Sequence, residues 1–162
     1  MLPTVYDVCN IGEGRVAIMA KPVAGEYLED EIAGLATLGI TGIVSLLEVD
    51  EARELGLGNE GALAKSYGLT FDAFPIRDRG LRDGIESFIQ SLTDRISLGE
   101  CLVVHCRAGI GRSGVVASAI LINSGYSPND AIARVSKARG ISIPDTDEQR
   151  SWILGFSPNM EQ

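Results

Sequence analysis

A three-layer α/β fold is expected, with a mostly parallel sheet of about four or five strands flanked by helices. Three observations lead to it. Short apolar runs at 40–47, 69–75 and 101–105 alternate with stretches of helical period at 26–38, 84–98 and 115–123, the order that builds a sheet covered by helices. A helical stretch joins the runs at 16–19 and 40–47, and strands joined through a helix pair in parallel. Finally, the run ending at His105 passes through a glycine-rich loop straight into a helical pattern. A chain of 162 residues suits a single domain, 1–162, with a sizeable core.

In chain order, Val5–Val8 and Val16–Met19, separated by Gly12-Glu13-Gly14, are expected as two strands of a hairpin. After a loop marked by Pro22 and Gly25, apolar residues at Leu28, Ile32, Leu35 and Leu38 predict a helix that stops at Gly39. A buried strand follows over 40–47. The polar, acidic stretch 48–65, broken by Gly56, Gly58 and Gly61, predicts two short helical pieces, and the acidic run 48–54 is most simply a solvated face. A strand over 69–75 and the loop Ile76–Asp83 come next. Ile85, Phe88, Ile89, Leu92 and Ile96 form one stripe of a helix over 84–98, and Cys101–His105 is the central strand. The segment 115–123 is apolar on nearly every side, so its helix should be buried. Ser127 and Pro128 start a further helix to about Ala138, ended by Gly140. A last short helix runs from Pro144–Asp147 through Trp152, more a core residue than a substrate platform, and the final residues are expected to fray.

The stretch His105-Cys106-Arg107-Ala108-Gly109-Ile110-Gly111-Arg112-Ser113-Gly114 carries the chemistry. A loop that opens a helix presents free N–H groups and the positive end of the helix dipole, a site for an anion such as phosphate. Arg107, Ala108, Gly109, Ile110, Gly111 and Arg112 are therefore expected to hold the phosphate. Gly109 and Gly111 let the chain curl so that N–H groups converge. A free cysteine ionises near pH 8.5; Cys106, at a helix N-terminus and facing Arg112, should ionise more easily and act as nucleophile. Arg112 offers a planar fork for two phosphate oxygens and for transition-state charge. Ser113 is placed to hydrogen-bond the departing sulfur, and His105, the only histidine, to orient the loop backbone. The arrangement implies two-step hydrolysis of a phosphomonoester through a phosphocysteine.

The leaving oxygen then needs a proton from an acid on a loop. Asp78 is the first choice: it lies three residues past Pro75, at the end of a strand, where sites of α/β folds gather. A solvated carboxylate paired with Arg77 or Arg79 is the plainer reading. Asp83 is the second choice, because it also makes a good N-cap for the helix at 84–98.

The pattern His-Cys-x5-Arg-Ser over 105–113 resembles the signature of the protein tyrosine phosphatase superfamily. The spacing to an upstream acid is similar to its small dual-specificity branch, and Phe74-Pro75-Ile76-Arg77-Asp78 is similar to the acid loop of the group like kinase-associated phosphatase. The resemblance implies the cysteine-phosphatase fold, Asp78 as the acid, and a supporting role for Gln149, which in some members positions water; on its own residues Gln149 reads as a plain surface position. Lipid-directed members often carry lysines inside the loop. Here one arginine, Arg107, expected to point outward, stands among Ala108, Ile110 and Gly111, which with the acidic net charge disfavours a phosphoinositide. A phosphorylated protein, phosphotyrosine foremost, is the expected partner, with a small phosphorylated metabolite left open.

Gly109-x-Gly111-x-x-Gly114 also matches a dinucleotide fingerprint, but a helix start at 127–130 stands where that pattern wants a strand ending in an acid. A nucleotide P-loop needs Gly-Lys-Ser/Thr where this loop has Gly-Arg-Ser. A buried core cysteine or a non-catalytic phosphate-binding module are the remaining alternatives. The net charge of −8 argues against nucleic acid or an anionic membrane as partner. Three cysteines, Cys9, Cys101 and Cys106, fit a reducing cytoplasm, and a redox pair between Cys101 and Cys106 stays open. One histidine and no Cys-x-x-Cys predict no metal, and no cofactor is expected. No signal peptide or membrane span is expected, and a monomer is the simplest state.

Overall fold

The computed structural model describes residues 2–158. Its centre is a five-stranded sheet in the order β1-β2-β5-β3-β4. β1 (Tyr6–Ile11) and β2 (Gly14–Met19) form the antiparallel hairpin. β2 then runs parallel to β5 (Cys101–His105), which pairs in parallel with β3 (Gly42–Ser45), and β3 pairs in parallel with the edge strand β4 (Thr70–Ala73). The expected α/β class and mostly parallel sheet are thus present.

Alternating side chains sort the core into two layers, because successive residues of a strand face opposite ways. Val16, Ile18, Val44, Leu102 and Val104 pack against Ile89 and Leu92 of α4 (Ile85–Ser97), Val116 and Ile120 of α5 (Gly111–Asn123), and Val135 of α6 (Pro128–Arg139). Ala17, Met19, Ile43 and Val103 face Leu28, Ile32 and Leu35 of α1 (Leu28–Thr37) and Ala64 of α3 (Glu60–Ser66). β5 is covered on both sides, so its run of apolar residues does not alternate with polar ones. Three elements remain: a 3-10 turn (Gly25–Tyr27) leads into α1, α2 (Val49–Glu54) follows β3, and α7 (Asp147–Gly155) closes over the helical layer.

Several expected boundaries move for physical reasons. β1 extends to Ile11, past the expected Val8, because a bulge between Asp7 and Cys9 breaks the alternation. The hairpin turns at Gly12, whose φ of +57° and whose approach to the Ser97 carbonyl (2.6 Å from an added Cβ) admit only glycine. Asp83 does not cap α4; Gly84, left-handed at φ +80°, occupies the cap position. α5 begins at Gly111 rather than Val115, so the loop feeds directly into its first turn. Ser127 caps α6, accepting from the Asp130 N–H at 3.1 Å, and Gly140 ends it at φ +84°. α7 runs three residues past Trp152, whose ring lies 5.0 Å from that of Phe156 against the core. Of the tail expected to fray, residues 159–162 lie outside the described residues.

Candidate active site

The loop 106–110 leaves the end of β5 at the centre of the sheet, and each of its carbonyls is turned to an outside donor. The Leu46 N–H donates to the His105 carbonyl (3.0 Å), the Lys21 N–H to that of Arg107 (3.1 Å) and the Gly114 N–H to that of Ile110 (3.0 Å). The His105 ring Nδ1 lies 3.2 Å from the Cys106 carbonyl. Arg139 donates from Nη2 to the Ala108 carbonyl (3.0 Å) and from Nε to that of Gly109 (3.2 Å). In a trans peptide the N–H points opposite to the C=O. With the carbonyls turned out, the N–H groups face the bowl, and those of Arg107 to Ile110 donate to no other backbone group among the described residues. Gly109 makes the curl possible: its φ is +72°, and a Cβ there would sit 2.6 Å from the Met19 carbonyl oxygen.

Cys106 is 3% exposed, at the floor of this bowl. Arg112 and Ser113, in the first turn of α5, are fully buried. The Arg112 Nε and the Ser113 Oγ have no hydrogen-bond partner, two buried polar groups in the loop still free to bind. The rest of the Arg112 guanidinium is held. Nη1 donates to Glu51 Oε1 (2.7 Å) and to the Ile76 carbonyl (2.9 Å), and Nη2 to Glu51 Oε2 (2.9 Å). Burial works against the charge of Arg112, but the Glu51 hydrogen bonds and the electrostatic attraction of its neighbours Cys106, Glu51 and Asp78 more than offset it. Its pKa is held above the ordinary arginine value. The Glu51 carboxyl is in turn held below the ordinary glutamate value, chiefly by its hydrogen bonds with Arg112 and against the opposing effect of burial.

Glu51 corrects the reading of 48–54 as a solvated face. Its side chain is only 11% exposed and also lies 3.5 Å from the Arg107 Nε. It is fixed by a reciprocal box with Glu48 at the start of α2. The one sequence signal for this is the acid three residues after the first α2 cap position, a weak form of the capping-box spacing. Arg107 does point outward, half exposed.

Asp78 stands where the acid was expected. Its Oδ1 is 3.3 Å from the Arg112 Nη2, and its side chain is 57% exposed, so its ion pair is with the loop arginine and not with Arg77 or Arg79. The segment around it is braced. The Gly80 N–H donates to the Arg77 carbonyl (2.8 Å), and Arg82 donates to the Pro75 carbonyl (3.0 Å) while lying 4.1 Å over the Phe74 ring. Gln149, fully buried, donates from Nε2 to the Gly80 carbonyl (3.2 Å) and caps α7 with Thr146. The plain-surface reading of Gln149 is therefore corrected: it ties α7 to the acid segment. Asp83 lines a separate surface groove with Glu86 and Trp152.

His105 is fully buried, with Nε2 2.7 Å from Glu60 Oε2; Glu60 is 2% exposed. The ring is thus engaged at both nitrogens, Nδ1 toward the Cys106 carbonyl and Nε2 toward Glu60. Nothing in the sequence marks Glu60 as this partner. The redox pair is excluded by distance. Cys101 and Cys106 are five residues apart along one strand, about 16 Å, far beyond the roughly 7 Å Cα separation a disulfide allows.

A cysteine and an arginine at the two ends of a strand–loop–helix cradle, on a sheet of this order, define a cysteine-based phosphatase. The family model described as "Polymorphic toxin system, DSP-PTPase phosphatase" matches residues 17–126. The chain is 30% identical over 135 residues to protein tyrosine phosphatase type IVA 3 of Bos taurus, covering 81% of this chain and 72% of that one. It is 26% identical over 144 residues to a putative tyrosine phosphatase of Invertebrate iridescent virus 3, covering 83% of this chain and 57% of the relative. In fold it is similar to kinase-associated phosphatase with its catalytic cysteine replaced by serine, at a TM-score of 0.85 and 20% identity, covering 94% of this chain and 93% of that one. The chain belongs to the dual-specificity branch of the protein tyrosine phosphatase superfamily.

Proposed function

We propose that residues 1–162 form one catalytic domain that hydrolyses phosphomonoesters, phosphotyrosine in proteins foremost, through a phosphocysteine. The single observation that supports this best is the outward turn of every carbonyl from His105 to Ile110, which leaves a ring of N–H groups over a buried thiol beside a buried guanidinium. In the first step the Cys106 thiolate attacks phosphorus, the P–O bond to the leaving group breaks, and Asp78 gives that oxygen its proton. In the second, Asp78 takes a proton from water as the water oxygen attacks phosphorus, and the sulfur leaves as a thiolate that accepts a hydrogen bond from the Ser113 hydroxyl. The loop N–H groups and the free edge of Arg112 carry the charge of the equatorial oxygens throughout.

The names of the relatives speak for a tyrosine phosphatase, and Arg107 as the one basic residue between Cys106 and Arg112, with no lysine there, speaks against a phosphoinositide. No described helix is long and apolar enough to cross a membrane. A nucleophile that works only as a free thiolate fits a reducing, cytoplasmic compartment. The test is turnover of p-nitrophenyl phosphate with a chelator present, followed by a panel of phosphopeptides and phosphometabolites. Turnover by the parent and none by Cys106→Ser, which still binds phosphate, is the expected result. An alkylated Cys106 that leaves hydrolysis intact overturns the reading.

A further inference from the structure

We propose that Arg139, clamped against Tyr6, is a positioning residue that sets the electrostatics of the phosphate loop from outside. This rests on the phosphatase reading above and assigns a role that the loop sequence alone does not contain. Arg139 ends α6, and its guanidinium spans two consecutive loop carbonyls, Nη2 to Ala108 (3.0 Å) and Nε to Gly109 (3.2 Å). Its carbon centre lies 4.5 Å from the Tyr6 ring centroid, so the cation is stacked on β1 on one side and bonded to the loop through its edge. Stacking fixes the plane of the guanidinium, and only a planar fork reaches both carbonyls at once.

The consequence follows from peptide geometry. Pulling the carbonyls of residues 108 and 109 outward aims the N–H groups of Gly109 and Ile110 inward. A cation on the oxygen end of those two peptides also polarises them, which strengthens the inward donors. Both effects favour negative charge in the bowl: the Cys106 thiolate before reaction, and the phosphoryl oxygens during it. Ala108 and Gly109 have no other carbonyl partner among the described residues, so no second brace substitutes for Arg139.

The test compares Arg139→Lys, Arg139→Met and Tyr6→Leu with the parent. Arg134→Met serves as a control, since that arginine of the same helix donates to the Val8 carbonyl (2.9 Å) and not to the loop. Two readouts are taken on folded protein, checked by thermal melt: kcat/KM on p-nitrophenyl phosphate, and the pH midpoint of Cys106 alkylation by iodoacetamide. Arg139→Lys keeps the charge and loses the fork. It is expected to lose about tenfold or more in kcat/KM and to raise the alkylation midpoint by about half a pH unit or more. Arg139→Met should lose more, Tyr6→Leu less in the same direction, and Arg134→Met should stay within about twofold. An unchanged alkylation midpoint in both Arg139 variants overturns the proposal, even where stability falls. The alkylation readout does not need turnover: an inert parent would sink the phosphatase reading alone, while an active parent with unaffected Arg139 variants would sink this inference alone.

Discussion

Glu51 and Arg112 meet fork to fork, Oε1 2.7 Å from Nη1 and Oε2 2.9 Å from Nη2, and this pair decides which edge of the loop arginine is left for a substrate. The bidentate grip consumes one edge of the guanidinium. It leaves Nε unpartnered and Nη2 shared with Asp78 at 3.3 Å. On the proposed reading, a phosphate that used Nη2 would compete with Asp78 for it.

Replacing Glu51 by glutamine should lower kcat/KM about ten- to a hundredfold, because the arginine keeps one hydrogen bond but loses its orientation. Replacement by alanine should also destabilise the fold by roughly 1–3 kcal/mol, the cost of leaving a buried polar partner unmatched. The sign with pH follows from the depressed Glu51 pKa. Its contribution is complete above the ordinary glutamate value, roughly pH 4.3, and is lost as pH falls through the lower folded value. Thermal melts from pH 7 to pH 3 should therefore show the Glu51→Gln protein starting less stable and losing less on acidification. Parallel melting curves for the two proteins would remove Glu51 as an ionised partner.

Asp78 sits on a braced segment, half exposed, at the loop arginine. Asp78→Ala should slow turnover of an alkyl or phenyl phosphate by about a hundredfold, within the range expected for a general acid. Hydrolysis of a substrate whose leaving oxygen needs no proton should slow far less. Rates measured across a series of substituted phenyl phosphates check this: the variant's rate should depend more steeply on leaving-group acidity than the parent's. Equal slopes would move the acid elsewhere, Asp83 being the next to test.

The His105–Glu60 pair lies behind the nucleophile with neither side chain reaching solvent. Glu60→Leu strands the imidazole and should cost roughly 1–3 kcal/mol, a fall in Tm of about 2–12 °C for a chain of this size. Glu60→Gln keeps a hydrogen-bonding partner and should cost less. Turnover should follow the same order, since the ring's other nitrogen holds the Cys106 carbonyl outward. A Glu60→Leu protein as stable and as active as the parent would show that the loop orients itself.

What the chain disclosed before folding and what it concealed divide along contact distance. Cys106 and Arg112 lie six residues apart across one loop-to-helix junction, so their relation is written in local spacing. Asp78 was legible because a strand end confines where a loop carboxylate can go. Glu51 and Glu60 were not, since they reach their partners across 61 and 45 positions of chain. Whether an acid at such a remove is solvated or buried depends on where α2 and α3 dock. Asp83 looked like a cap by type, but Gly84 took the position, because a left-handed residue was needed to enter α4. The three-layer arrangement, by contrast, followed from local pattern, since continuous apolar runs separated by stretches of helical period imply a sheet covered on both faces.

Gln149 is held on both sides: its Nε2 donates to the Gly80 carbonyl (3.2 Å), and its Oε1 accepts from the Thr146 N–H (3.3 Å). Held in this way it braces the segment that carries Asp78, and its amide keeps a second N–H and a second lone pair. Gln149→Leu, which removes the donor while keeping similar bulk, should loosen the turn at Arg77–Gly80. The expected result is a loss in kcat of about tenfold with KM little changed, steepest for poor leaving groups, as for Asp78→Ala. Rapid-quench measurements separate the two roles. If Gln149 acts through the acid segment, formation of the phosphocysteine slows and no burst of leaving group appears. A stoichiometric burst followed by slow turnover would mean that hydrolysis of the intermediate had been damaged instead, and would assign the side chain to the attacking water.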